Sequence, residues 1–84
     1  MIVSFAASAW ADYVALQKTD PALVRKINTL IRECQRHPFE GPGKPEPLKN
    51  DLSGYWSRRI NREHRLVYKV LDGALVIIQC RYHY

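Results

Sequence analysis

Apolar positions recur at one spacing in the first half of the chain and at another in the second. Met1-Ile-Val-Ser-Phe5 is short and β-branched, and predicts a strand. Ser8 then fits an N-cap for a helix over Ala9–Lys18, with Trp10, Tyr13, Val14 and Leu16 on its buried face. Asp20-Pro21 marks the next boundary. A residue before proline is pushed out of helical geometry, as an N-cap is, and proline suits the first helical position. Leu23, Val24, Ile27, Leu30, Ile31 and Cys34 then repeat at three and four, predicting a helix from Pro21 to Arg36. Arg25, Lys26, Asn28, Arg32 and Glu33 fall on its solvated side, and Pro38 stops it.

Residues 38–52 read PFEGPGKPEPLKNDL, a loop in which four prolines restrict the backbone. Glu46 is held extended between Pro45 and Pro47, its carboxylate offered from a stiff segment, although an ordinary surface turn would look the same. Gly41-Pro42-Gly43-Lys44 lacks the spacing and the following helix of a phosphate-binding loop.

After Gly54 the period falls to two, giving strands over Tyr55–Ile60, His64–Leu71 and Ala74–Tyr82. Asn61-Arg62-Glu63 and Asp72-Gly73 supply the turns. The expected architecture is one α+β domain over residues 1–84. An N-terminal strand and two helices precede an antiparallel β-meander, with the helices packed on one face of the sheet and the other face open.

Register decides which side chains meet. A three-residue turn at 61–63 sets Arg59 opposite Arg65, and two adjacent arginines repel unless an anion lies between them. In the second hairpin a three-residue loop at 71–73 would put Arg65 on the face of Gln79, Arg81 and His83. A two-residue Asp-Gly turn would place it with Cys80, among Val76 and Ile78. Burying an unpaired arginine there is costly, so the longer loop is favoured.

Composition narrows the function. The 84 residues carry a formal net charge of +5, which favours polyanionic partners. Cys34 and Cys80 lie on apolar stripes and are expected to be buried, reduced thiols. No Cys/His spacing fits a zinc site, and no cofactor is expected. Neither a leader sequence nor an apolar run of membrane length is visible, so a cytoplasmic protein is expected.

Arginines beside a histidine, with a carboxylate on a stiff loop, suit metal-free phosphodiester cleavage. RNA transesterification needs a base for the 2′-hydroxyl, cations on the phosphorane and an acid for the leaving oxygen. Glu46 is the candidate base, Arg65 and Arg59 the cations, and His83 the acid. Tyr84 could stack on a base, and Arg81 joins the phosphate-binding set. As the sequence stands, His83 and Tyr84 could equally be a frayed tail.

The segments GPGKPEPLK (Gly41–Lys49), LSGYWSRRI (Leu52–Ile60), EHRLVY (Glu63–Tyr68) and CRYHY (Cys80–Tyr84) resemble the YoeB (Txe) family of bacterial toxins, within the RelE/ParE superfamily. The likeness spans nearly the whole chain and is weakest in the first helix. It implies ribosome-dependent cleavage of mRNA in the A site, and the lone carboxylate Glu46, with no Asp/Glu cluster beside it, predicts that no metal takes part. It also implies a YefM/Phd-type antitoxin as partner, beside the ribosome, its mRNA and a second copy of the chain. On matching positions the family's base is Glu46, its phosphate-binding arginine Arg65, its acid His83 and its terminal ring Tyr84. Lys49 and Arg59 match basic positions of the motif. Two rivals stand beside this reading: a ParE-like gyrase inhibitor on the same fold, and a non-catalytic RNA-binding module.

Overall fold

Asp20 turns the chain between two helices much as its sequence context demands. Its carboxylate accepts the Leu23 N–H at 3.1 Å, and Pro21 occupies the first turn behind it. In the computed structural model, which describes residues 1–82, strand β1 (Ile2–Phe5) leads into α1 (Ala7–Thr19) and α2 (Pro21–Arg36). The two-residue β2 (Glu46–Pro47), a 3-10 turn (Asn50–Leu52), and strands β3 (Trp56–Arg59), β4 (Arg65–Leu71) and β5 (Ala74–Gln79) follow. The sheet order is β1-β5-β4-β3-β2, antiparallel except for the β1/β5 pair.

All six apolar residues expected on α2 are buried. They meet Ile60, Leu66, Tyr68, Leu75, Ile77 and Cys80 from the sheet in one core. Helix α1 departs from the expectation twice. It begins at Ala7 rather than Ala9, and Ala6, not Ser8, precedes it, with no side-chain cap. The Ala6 N–H instead bonds Ile77 O at 2.8 Å, so sheet pairing delivers the chain directly into the helix. The core-facing residues of α1 are Ala9 and Leu16, with Tyr13 half-buried, whereas Trp10 and Val14 stay about half exposed. Trp10 lies outside that stripe and stacks on Tyr13 at 5.8 Å, with its edge to Phe5.

The β4–β5 hairpin corrects the favoured register. Leu71 pairs with Ala74, so the turn is the two-residue Asp72-Gly73. Both turn residues have positive φ, 50° and 75°, the twist that such hairpins require. Arg65 nevertheless avoids the core, because Leu66 and Tyr68 face it and alternation along β4 turns Arg65 the other way. An irregularity between Val67 and Tyr68 advances the pairing to Val67↔Gln79. One extra residue at Ile78 thus brings Cys80 into the core beside Leu75 and Ile77. Cys80 therefore does not share a face with Val76 and Ile78, and Leu75, Ile77 and Cys80 are the buried set.

Both cysteines are free and fully buried. Burial pushes the Cys80 thiol up to about 11 and the Cys34 thiol above its usual value, so neither is nucleophilic at neutral pH. An aromatic disulfide reagent should consume two thiols per chain only in denaturant, and in native buffer should react no faster than the chain unfolds. Rapid native labelling would contradict this packing.

Candidate active site

The face of the sheet turned away from the helices is built by alternation. Glu46 on β2 stands opposite Ser57 on β3, Ser57 opposite Val67 on β4, and Arg59 opposite Arg65. Side chains of paired residues share a face, so Glu46, Ser57, Arg59, Arg65 and Val67 come together. This face is not bare: Leu48, Ser57 and Val67 are buried on it. Glu46 and Arg65 lie on strands separated by β3, roughly two strand spacings of about 4.8 Å each. The long arginine spans that gap over the small Ser57, bringing Nη1 to 3.6 Å from Glu46 Oε1. The Glu46 carboxylate is 54% exposed and the Arg65 side chain 20%, so the pair lies at a surface that a large substrate can reach.

The loop that carries Glu46 is fixed from the opposite side of the sheet. Arg58, next to Arg59 but facing the core, is fully buried. Its guanidinium donates to Pro42 O at 3.0 Å, Glu40 O at 2.8 Å and His37 O, while Nε donates to the Tyr68 hydroxyl at 3.1 Å. Tyr68 in turn donates to Pro38 O at 2.6 Å. Burial pushes this phenol up to about 12, against the opposing pull of Arg58, so it remains a proton donor. Gly43 completes the clamp: its carbonyl accepts the Arg59 N–H at 2.7 Å, and its φ of +87° suits glycine. A Cβ there would lie 3.1 Å from both Arg58 Cβ and Arg59 O.

The remaining expected residues are placed differently. Arg59 is exposed beside the pair, and Lys49 is exposed where β2 gives way to the 3-10 turn. Arg81 is turned toward α1, its Nη1 3.7 Å from Asp12 Oδ1 and its guanidinium 4.8 Å from the Tyr82 ring. His83 and Tyr84 lie outside the described residues. Among the described residues no three His, Cys, Asp or Glu side chains gather as metal ligands, and no helix is long and apolar enough to cross a membrane. Sequence reasoning missed Arg58 as a clamp, although period two from Trp56 already puts it on the core face. It also passed over the hydrogen bonds made by His64 and Gln79.

A family model described as "YoeB-like toxin of bacterial type II toxin-antitoxin system" matches residues 5–84. The chain belongs to the YoeB toxin family. It is 62% identical over 76 residues to Toxin YoeB of Escherichia coli K12, covering 90% of each chain. Among solved structures, the YoeB/ParE toxin from Agrobacterium tumefaciens superposes with a TM-score of 0.95 at 55% identity, over the full length of both chains. The YoeB-YefM complex from Staphylococcus aureus gives 0.93 at 47% identity, over 100% of this chain and 98% of that one. The toxin of that organism is also solved as a YoeB dimer, at 0.92 and 48%. The strand, helix pair and mixed sheet described above are thus the YoeB architecture, with the Glu46–Arg65 pair on its exposed face.

Proposed function

We propose that this YoeB-family toxin is an endoribonuclease that cuts mRNA in the ribosomal A site by transesterification, using the RNA's own 2′-hydroxyl and no metal. The observation that carries the reading is the Glu46–Arg65 pair with Arg59 across from it on an exposed face. An incoming scissile phosphate competes for the Arg65 guanidinium, which matches a phosphate as well as a carboxylate. As the guanidinium turns to the phosphate, Glu46 is released to take the 2′-hydroxyl proton. Arg65 and Arg59 then stabilise the charge that grows on the phosphorane. His83 is assigned the acid that protonates the 5′-oxygen, and Tyr84 the ring that stacks on a base. Both assignments rest on residue chemistry and on the sequence resemblance. A single carboxylate beside two arginines is a modest catalyst, so the ribosome must align the nucleophile in line with the leaving oxygen.

The partner is inferred to be a YefM-type antitoxin. A domain of net charge +5 with exposed arginines attracts an anionic segment, and the S. aureus relative is solved with YefM. Covering the Glu46–Arg65 face is the simplest route to inhibition.

A message with one 2′-deoxy nucleotide at the cut site, bound to ribosomes, tests the chemistry. Cleavage should disappear on the deoxy message, while the all-ribose control leaves a 2′,3′-cyclic phosphate. Efficient cutting of the deoxy message would overturn the mechanism and the role given to Glu46.

A further inference from the structure

After β5 ends at Gln79 the chain does not simply run out along the sheet. Tyr82 adopts a left-handed backbone with φ of 64°, a conformation that a tyrosine rarely takes unaided. Four hydrogen bonds hold the segment there. The Gln79 side-chain amide donates to Arg81 O at 2.9 Å and to Tyr82 O at 3.1 Å. The backbone N–H of Arg65 donates to Tyr82 O at 2.9 Å. Across the strand, the Tyr82 N–H donates to His64 Nδ1 at 2.7 Å, and the two rings lie 5.5 Å apart. The bulge that moves the β4–β5 pairing by one residue lies directly before this segment, and it sets Gln79 opposite Val67.

The bond to His64 specifies chemistry. A backbone N–H can only donate, so His64 must present an unprotonated Nδ1 and carry its proton on Nε2. His64 itself is fixed from its other side, because its N–H donates to Asn61 Oδ1 at 2.8 Å and its carbonyl accepts from Ile60 N–H at 3.0 Å. Neither Gln79 nor His64 belongs to the Glu46–Arg65 pair. Both act on the peptide units from which residue 83 departs.

We propose that His64 and Gln79 are positioning residues. They lock the backbone turn at Tyr82, the residue directly before His83. The locking follows from the contacts at Tyr82; its catalytic consequence rests on the role proposed above for His83. One backbone bond comes from Arg65 itself, so the turn is built on the strand that carries the phosphate-binding arginine. Misplacing a reacting group by about 1 Å can cost on the order of a hundredfold in rate, which sets the size of the expected effect.

Shape-matched substitutions separate this role from simple packing. In His64→Asn the amide oxygen falls near the position of Nδ1 and can accept from Tyr82. In His64→Gln the oxygen falls near Nε2 and cannot. Gln79→Glu keeps the shape but removes both donors from the Arg81 and Tyr82 carbonyls. Two readouts are needed on the full chain: amide hydrogen exchange at Tyr82 and single-turnover cleavage of ribosome-bound message. Wild type and His64→Asn should protect the Tyr82 amide and cleave within about threefold of each other. His64→Gln should lose that protection and be slowed on the order of ten- to a hundredfold in kcat, with KM and thermal midpoint little changed. Gln79→Glu should be slowed similarly. Protection of Tyr82 that survives His64→Gln would overturn the latch, whatever the activity. Lost protection with unchanged cleavage would overturn the positioning role. A wild-type protein that protects Tyr82 and cuts no RNA would leave the latch standing, and would refute both the positioning role and the ribonuclease reading.

Discussion

Arg58→Ala should remove a large share of the protein's stability, the largest loss expected of any single substitution here. The deleted guanidinium satisfies the carbonyls of His37, Glu40 and Pro42 and the Tyr68 hydroxyl. Removing one partner from a buried charged network costs about 3–5 kcal/mol, because the groups left behind lose their bonds and a cavity opens. A chain of this length has only about 4–12 kcal/mol to lose. Arg58→Lys keeps the charge but not the planar fork, and should recover only part of the stability. Urea unfolding followed by circular dichroism measures each step. A loss under about 1 kcal/mol for the alanine variant would mean that the 37–43 loop holds its shape without the clamp. The loop leads into Glu46, so the same residue links stability to the site from the far side of the sheet.

The parts of the fold that were legible in the sequence are those fixed by local rules. Asp20-Pro21 and the three-and-four spacing from Leu23 to Cys34 each name one conformation, and α2 matches them. The turn at 61–63 likewise determines one pairing, so Arg59 does face Arg65. Two constraints met at the second hairpin. Asp72-Gly73 demands a two-residue turn, and an arginine at position 65 must stay out of the core. The two do not conflict, because Leu75 and Ile77 rather than Val76 and Ile78 face the core, and a bulge at Ile78 then brings Cys80 in with them. Bulges leave no composition signal when the extra residue is as β-prone as its neighbours, which is why isoleucine hid this one. The start of α1 was hidden for a different reason: pairing of Ala6 with Ile77, distant in sequence, outweighs a local capping preference. Within the site, stiff prolines marked Glu46 and register marked Arg59 and Arg65. Residue chemistry suggested roles for His83 and Tyr84, and family resemblance chose those roles over a frayed tail.

Arg65→Ala should reduce cleavage of ribosome-bound message by a factor on the order of a thousand while leaving the fold intact. The two effects separate because the arginine serves the fold and the site through different atoms. Its backbone N–H, which holds the Tyr82 carbonyl, is kept in the alanine variant. Its side chain lies outside the helix-side core, at a surface where the Glu46 carboxylate is already half exposed to water. A partly exposed ion pair contributes about 0.2–1 kcal/mol to stability, so the thermal midpoint should fall by only a few degrees. The catalytic loss is larger because fixed positive charge acts where the phosphorane gains charge, and water cannot replace an oriented guanidinium. Arg65→Lys should fall between the two, since an ammonium neutralises the phosphate but cannot hold two of its oxygens in a plane. Glu46→Gln should be slow as well. The double variant should be little slower than Arg65→Ala alone, because the two residues act on one transition state. Single-turnover cleavage rates, with melting curves on the same samples, provide the comparison. If Arg65→Ala cuts at the wild-type rate, the exposed pair is a surface salt bridge and the phosphate must bind elsewhere. If the variant loses activity only by melting, Arg65 belongs to the structure and not to the chemistry.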